Sequence, residues 1–315
     1  MDIYLPIAEM SVDALWLIGL GAVVGFLSGL FGVGGGFLLT PLLTFMGIPA
    51  TIAVGTQSNQ LVGTSLSGAL AHWKRRNIDV RMGFILTMGS FLGTGIGVQL
   101  FKWLKQMGHI NLVITLSYVT LLSVVGLMMF WESAPRLFKA GQRFRSRKRS
   151  AKPDVTPDGL TQGWGASGSM AIDFPESNLR VNVMLPIVLG IIGGILVAML
   201  GVGGGFVLVP AMIYILRMPP ALVNGTSLFQ ILFTTAFATV LQAVTNHSVD
   251  VVLAVLMLIG SVVSVPFGAR FASKLKPEVA RFLMSVLILL VAGKLVAGLI
   301  LAPEHLFTVE VKLLP

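Results

Sequence analysis

The sequence predicts an all-α integral membrane protein made of two inverted, pseudo-symmetric repeats. Three observations lead to this prediction: the composition, a duplicated set of motifs and the distribution of basic residues. The 315 residues are 55% hydrophobic and only 11% charged, with a mean hydropathy of +0.89. Soluble domains carry about 25% charged residues, so this chain has too little charge to cover a water-exposed surface. Its apolar runs approach the roughly 20 residues that a spanning helix needs.

The duplication is visible in two pairs of motifs. The stretch FGVGGGFLLTP (Phe31 to Pro41) returns as LGVGGGFVLVP (Leu200 to Pro210). In the same way, GTQSNQL (Gly55 to Leu61) returns as GTSLFQI (Gly225 to Ile231). Both pairs are separated by about 170 residues, so the two halves align almost without gaps. Two copies of one unit predict one membrane domain.

Each repeat contains the same elements in the same order. A long apolar segment broken by GVGGG comes first, a helix that opens near the Gly-Thr motif follows, and two further helices end the repeat. The predicted segments are 14–47, 51–73, 82–103 and 110–131 in the first half, and 184–216, 221–245, 251–273 and 279–301 in the second. The single domain, 1–315, therefore divides into repeat 1 (14–131), a linker (132–183) and repeat 2 (184–301).

Basic residues change sides between the repeats. The second connection of repeat 1 holds Lys74, Arg75, Arg76 and Arg81, whereas its counterpart at 245–250 has no Lys or Arg. Conversely, the third connection of repeat 2 holds Arg270, Lys274, Lys276 and Arg281. Because basic loops face the cytoplasm, this exchange indicates inverted repeats with an odd number of crossings each. We expect each GVGGG segment to be a hairpin that enters and leaves on one face; a full broken span stays open.

The linker carries much of the net charge of +9, in the block RLFKAGQRFRSRKRSAK (Arg136 to Lys152). In a membrane protein such a block favours a cytoplasmic topology signal or a contact with anionic lipid over a nucleic-acid site. The rest of the linker is rich in Gly, Ser and Pro, which predicts a flexible cytoplasmic segment.

The GVGGG segments are the first candidate ligand site. Glycine costs about 1 kcal/mol relative to alanine inside a helix, so these clusters predict breaks in the helix. A break inside the bilayer exposes backbone amides, and a helix N-terminus with free N–H groups suits an anion. The candidate glycines are Gly32, Gly34, Gly35, Gly36, Gly201, Gly203, Gly204 and Gly205. For Gly25-x-x-x-Gly29 and Gly89-x-x-x-Gly93, close helix packing is the preferred interpretation.

Polar residues of the second helix in each repeat are the next candidates. Buried amides and hydroxyls need partners, and uncharged donors can hold an oxyanion. The candidates are Thr56, Asn59, Gln60, Thr226 and Gln230. Hydrogen bonding between helices is the alternative for each of them. Lys294 is a candidate counter-ion for a substrate, or a side chain that reaches the membrane surface.

Other kinds of chemistry find no support in the sequence. The chain has no cysteine, which excludes disulfides and thiolate chemistry. It shows no nucleophile–base pair and no cluster of metal ligands, so we expect neither an enzyme nor a cofactor or metal site.

The two intact copies, GVGGGFLLTP and GVGGGFVLVP, each followed by a Gly-Thr motif and a further pair of hydrophobic helices, resemble the TauE/SafE family of bacterial sulfite and sulfonate exporters. The likeness covers 14–131 and 184–301. It implies export of small sulfur-containing anions across the bacterial inner membrane. From the paired helix breaks we expect a multi-pass secondary transporter in which rocking of one half on the other alternates access. Which anion, and whether the protein is a homodimer, stay open. A channel-like or cation-transporting protein, and a membrane scaffold that acts through the basic linker, are the alternatives.

Overall fold

The computed structural model describes residues 2–31, 36–139, 161–162, 171–272, 275 and 277–300. This part of the chain holds ten helices and five short strands. The helices are α1 (Ala14–Phe31), α2 (Gly36–Phe45), α3 (Ala50–Lys74), α4 (Val80–Gln106), α5 (Ile110–Lys139), α6 (Met184–Leu200), α7 (Gly205–Tyr214), α8 (Pro220–Asn246), α9 (Val251–Ala272) and α10 (Pro277–Ile300). The strands are β1 (Asp2–Leu5), β2 (Met10–Asp13), β3 (Thr161–Gln162), β4 (Ala171–Phe174) and β5 (Leu179–Asn182).

The helices confirm an all-α membrane protein. Five of the described helices are long and apolar enough to cross a bilayer. Those stretches are Val80–Gln106, Ile110–Trp131, Leu222–Asn246, Val251–Gly268 and Phe282–Ile300. Helix α3 is also long, but its polar run lowers its hydropathy. The other apolar helices are shorter: α1, α2, α6 and α7. Each long segment predicted to be broken by GVGGG, 14–47 or 184–216, is therefore a pair of short helices, α1–α2 in repeat 1 and α6–α7 in repeat 2.

Each repeat begins with a β-hairpin that the sequence analysis did not predict. Strands β1 and β2 pair antiparallel, and so do β4 and β5, with Leu5 opposite Met10 and Phe174 opposite Leu179. The second hairpin lies inside the segment predicted as a flexible linker, and α5 also continues into that segment as far as Lys139. The linker prediction therefore does not hold for 132–139 or 171–182; residues 140–160 and 163–170 lie outside the described residues.

The two repeats are interleaved through their glycines. Helix α1 of repeat 1 packs along α9 of repeat 2, and α6 of repeat 2 packs along α4 of repeat 1. A Cβ atom at Gly25 would collide with Ser261 of α9, and Cβ atoms at Gly89 and Gly93 would collide with the backbone of α6. The packing interpretation of these three glycines is therefore confirmed, and close backbone approach explains why glycine stands there.

Two matching hydrophobic clusters lie beneath the hairpins. One contains Leu5 of β1, Leu43 of α2 and Ile48, together with Leu253 of α9. The other contains the equivalent residues Phe174, Met212, Met218 and Met82. In each cluster a hairpin packs on the far end of the short helix pair that follows it. The start and the end of each pair therefore lie at the same end of the molecule.

Candidate functional site

The second GVGGG segment is a complete helix break. Helix α6 ends at Leu200, and the backbone then turns through left-handed conformations at Gly201, Gly203 and Gly204, with φ of 70°, 75° and 73°. Left-handed backbone is unfavourable for residues with a Cβ, which accounts for the glycines. Helix α7 begins at Gly205, and the whole segment is buried. As at any helix start, the first N–H groups of α7 have no partner within the helix.

The first GVGGG segment is described only at its end. Gly32, Gly34 and Gly35 lie outside the described residues. Gly36 opens α2 and is buried. It also lies against the second break, because a Cβ at Gly36 would stand 3.1 Å from the Val202 carbonyl oxygen.

One side chain joins the two breaks. The buried Gln57 amide donates from Nε2 to the carbonyl oxygens of Gly36 and Gly201, the latter at 2.5 Å. Its Oε1 accepts from the Thr40 backbone N at 2.7 Å and from the Thr40 hydroxyl at 2.5 Å. Next to the residues that Gln57 binds, the rings of Phe37 and Phe206 stack. The end of the first GVGGG segment therefore meets the start of the second break.

The last carbonyl groups of α6 are occupied by side chains. Tyr118 donates its hydroxyl to the Leu200 carbonyl at 2.5 Å, and Gln242 donates to that of Ala198 at 2.8 Å. With Gln57 on Gly201, three carbonyls at this helix end have side-chain donors. These three carbonyls are therefore already hydrogen-bonded, whereas the first amides of α7 have no partner within their own helix.

Gln60 and Gln230 stand at equivalent places in the two repeats. Each follows the start of its helix, α3 or α8, by ten residues, which is about 15 Å along the axis and half of a bilayer core of about 30 Å. Gly203 lies between the neighbours of these glutamines, because a Cβ there would be 3.0 Å from Leu61 and 3.2 Å from Ile231. The second break thus lies against the middle of both helices.

The two glutamines differ in their partners. Gln230 donates from Nε2 to Ser90 Oγ at 2.7 Å and to Thr234 Oγ1 at 2.9 Å, and Ser90 in turn donates to the Gly190 carbonyl at 3.0 Å. Because the Ser90 hydrogen is used on Gly190, Ser90 must accept from Gln230, which fixes the orientation of the amide. Gln230 Oε1 then has no partner in the described part of the chain. Gln60 is only 2% exposed, and no described residue hydrogen-bonds its side chain.

Thr56 and Thr226 make equivalent contacts between the repeats. Thr56 Oγ1 accepts from the Asp250 backbone N at 3.0 Å, and Thr226 Oγ1 accepts from that of Asp79 at 2.9 Å. The glycine before each threonine leaves room for this approach. Each hydroxyl keeps its own hydrogen for another acceptor, so a role in a ligand shell stays a prediction.

Two candidates remain, Asn59 and Lys294. Asn59 is partly buried in α3. Lys294 is exposed, and its Nζ stands 4.3 Å from the centre of the Phe45 ring, near the end of α2. A cation over an aromatic face is stabilised without a carboxylate partner. The role of Lys294 as a counter-ion stays a prediction.

Sequence reasoning missed Gln57, Asp79 and Asp250. Gln57 was passed over because its repeat equivalent is Ser227, so symmetry did not single it out. The two aspartates were visible as the matching tripeptides IDV and VDV, but a carboxylate at a helix start usually faces water. Here both are buried beneath the hairpins.

Comparison with known proteins gives a consistent picture. Residues 17–295 match the family described as "Sulfite exporter TauE/SafE". The chain is 30% identical over 290 residues to the "Probable membrane transporter protein YjnA" of Bacillus subtilis, covering 91% of this chain and 100% of that protein. It is 25% identical over 288 residues to "Probable membrane transporter protein YunE" of the same organism, covering 89% and 96%. It is also 28% identical over 108 residues to "Sulfite exporter TauE/SafE family protein 5" of Arabidopsis thaliana, covering 34% and 24%. No solved structure matches the chain.

Proposed function

The chain belongs to the sulfite exporter TauE/SafE family of membrane transporters, and from this premise we propose that it exports small sulfur-containing anions, sulfite or organosulfonates, across the bacterial inner membrane by alternating access. The observation that carries the proposal is the meeting of the two helix breaks at Gln57. Paired breaks that meet between repeats are the usual binding sites of secondary transporters.

The contacts at the two ends of the molecule support inverted repeats. Both ends of each short helix pair lie under the same hairpin, so the pair returns to the face from which it started. Three full-length helices then remain in each repeat, an odd number, which places equivalent elements on opposite faces. Rocking of one repeat against the other would open the meeting point of the two breaks to each side of the membrane in turn.

The anion is held, in this proposal, by the amides at the starts of α2 and α7 and by the two mid-helix glutamines. Gly36 and Gly203 to Gly205 provide the backbone, Gln60 provides a side-chain amide that no described residue binds, and Gln230 faces the ligand with its Oε1. Thr56, Thr226 and Asn59 complete the shell. Helix N-termini and neutral donors stabilise an anion without a fixed cation that would trap it.

Gln230 Oε1 narrows the class of substrate. A buried acceptor without a partner is unfavourable, and a ligand that brings its own hydrogen-bond donor removes this cost. Hydrogen sulfite, with its O–H group, and amino sulfonates, with an ammonium group, carry such a donor. Sulfate and thiosulfate carry none at neutral pH. We therefore expect the site to prefer sulfur anions that also donate a hydrogen bond.

The membrane potential supplies a driving force for export. With the cytoplasm negative, each negative charge that leaves gains about 2.3 kcal/mol per 100 mV. Uniport would therefore suffice. A cation transporter fits less well, because the carbonyls of Ala198, Leu200 and Gly201 that could hold a cation are already bound by side chains.

Flux into proteoliposomes tests the proposal. The purified protein is reconstituted and offered sulfite, taurine, sulfoacetate, thiosulfate and sulfate, with and without an imposed potential. We expect saturable flux of sulfite or of a sulfonate, increased by a potential that is negative on the side the anion leaves. Absence of flux for every one of these anions, from correctly folded protein, would refute the proposed function.

A further inference from the structure

We propose that Asp79 and Asp250 are paired latches, positioning residues that hold the two ends of the transport path closed. The proposal rests on the alternating access proposed above. Both carboxylates are almost fully buried, at 1% and 0% exposure, and they occupy equivalent places in the two repeats. Each joins three elements through hydrogen bonds, and the two joints have the same plan.

The first joint is built around Asp250. Its Oδ1 caps α9 by accepting from the Leu253 N at 3.1 Å, and its own backbone N donates to Thr56 in α3. Its Oδ2 accepts from the backbone N of Ile7 at 3.0 Å and of Ala8 at 3.4 Å, in the turn of the β1–β2 hairpin. One aspartate of repeat 2 therefore holds α3 through its backbone N–H and the first hairpin through its carboxylate.

The second joint repeats this plan around Asp79. Its Oδ1 caps α4 by accepting from the Met82 N at 3.0 Å, and its backbone N donates to Thr226 in α8. Its Oδ2 accepts from the hydroxyl of Ser177, in the turn of the β4–β5 hairpin. In this case an aspartate of repeat 1 holds α8 through its backbone N–H and the second hairpin through its carboxylate.

The two joints lie at opposite ends of the molecule. Asp79 caps the first turn of α4, whereas Lys105 in its last turn donates to the Asn246 carbonyl, four residues before Asp250. Helix α4 has 27 residues, which corresponds to a length of about 40 Å. The joints therefore lie toward opposite ends of α4, with one hairpin at each.

Rocking of the repeats must act on these joints. Both cross from one repeat to the other, and both depend on a buried carboxylate that needs its donors while the hairpin covers it. When a hairpin moves away from its carboxylate, the carboxylate becomes exposed to water. Each joint therefore has a closed arrangement, in which the hairpin covers the carboxylate, and an open one, in which water does. Opening one joint while the other holds would admit substrate from one side only, which is the requirement of alternating access.

The experiment measures the access of a thiol reagent to each end. The chain has no cysteine, so single reporters need no altered background. Ala53→Cys lies in the cluster beneath the first hairpin and Val223→Cys in the cluster beneath the second; both positions are fully buried and equivalent in the repeat. Labelling rates are measured in detergent, where both ends of the protein meet the reagent.

Each joint is then weakened separately. Ser177→Ala should raise the labelling rate of Val223→Cys at least threefold and leave that of Ala53→Cys unchanged or lower. Asp250→Asn should raise the rate of Ala53→Cys and spare that of Val223→Cys. Should Asp250→Asn fail to fold, Thr56→Val weakens the same joint, and Thr226→Val is its counterpart at the other end. Ser285→Ala should change neither rate, because the buried Ser285 hydroxyl bonds, among the described residues, only to Phe282 of its own helix.

Two results would overturn the latches: equal increases at both reporters, which indicate general loosening, or no change at either. Because labelling needs no substrate, it is independent of the flux assay. If the protein transports a sulfur anion but each variant does not raise labelling at its own end alone, the latch proposal is wrong and the proposed function stands. If each variant raises labelling only at its own end but the protein transports no sulfur anion, the latches are supported and the proposed function is refuted.

Discussion

The rings of Phe37 and Phe206 stack with their centres 4.8 Å apart and their planes inclined by 20°. These two residues are equivalent in the repeats, and each follows directly on its GVGGG segment. A residue that contacts its own repeat equivalent lies on the axis that relates the repeats. The stacked rings hold the start of α2 against the start of α7, and we expect an alternating-access protein to place its substrate where its two repeats meet in this way.

Replacement of Gln57 by leucine should abolish transport and reduce stability. Leucine has a similar size but leaves the Gly36 and Gly201 carbonyls and the Thr40 N–H buried without their partner. Each such group costs about 1 to 3 kcal/mol. We expect flux to fall at least tenfold and the unfolding temperature in detergent to drop by several degrees.

Gln99→Leu is the matched control. Gln99 is an exposed glutamine of α4, so the same change there alters no buried hydrogen bond. It should keep the flux and the unfolding temperature of the parent protein. Parent-like flux in Gln57→Leu would contradict the role of this residue as the joint between the breaks.

Gly203→Ala should impair transport more than its small size suggests. The left-handed backbone at Gly203 is unfavourable for alanine by roughly 1 kcal/mol or more, and the new methyl group would press on Leu61 and Ile231. Both effects displace the break from the middle of α3 and α8. We expect a large loss of sulfite flux, measured in proteoliposomes that contain equal amounts of protein. Equal flux in the variant and the parent would exclude Gly203 from the site.

Much of the fold followed from the sequence. The predicted segments 82–103 and 251–273 agree with α4 and α9 within a few residues, because apolar length and charged ends determine a membrane helix. The two breaks followed from glycine clusters that repeat in the same register. The sequence alone did not show whether each break faces a ligand or a neighbouring helix. That depends on which distant segments pack against the break, and a single sequence does not contain this information.

The hairpins and the buried aspartates were harder to predict. The dipeptides Leu5-Pro6 and Phe174-Pro175 have the same spacing as the GVGGG motifs, so a repeat signal existed outside the membrane helices. It was weak because the two turns otherwise share few residues. The burial of Asp79 and Asp250 could not be predicted without the hairpins, because only the hairpins remove these carboxylates from water.

Two neighbouring glycines of α4 should differ sharply in their tolerance of alanine. A Cβ at Gly93 would collide with the Ile191 carbonyl of α6, whereas a Cβ at Gly95 meets nothing within 4 Å. Gly93→Ala should therefore separate α4 from α6 and lower the unfolding temperature. Gly95→Ala should be neutral or stabilising by up to about 1 kcal/mol, because alanine favours the helix. Equal effects in both variants, measured by thermal unfolding in detergent, would contradict the glycine packing.

Gln230→Met should change substrate preference more than overall rate. The substitution keeps the length of the side chain but removes the acceptor Oε1 that we assign to the donor group of the substrate. The parent protein should prefer taurine or hydrogen sulfite over sulfate, and the variant should lose most of that preference. The measurement is competition of unlabelled anions against labelled sulfite. An unchanged order of competition would show that Gln230 does not select the substrate.

Replacement of residues 140–160 by a Gly/Ser segment of the same length should leave transport intact. The exchange removes most of the basic block but keeps α5 and the β4–β5 hairpin, whose Ser177 binds Asp79. A longer deletion into residues 171–182 should abolish transport, because it removes that hairpin. The two variants separate the charge of the segment from the structure that follows it. A scaffold that acts through its basic residues would lose its function when residues 140–160 are replaced. Loss of flux in that variant would refute our proposal that the two repeats carry out transport without the basic segment.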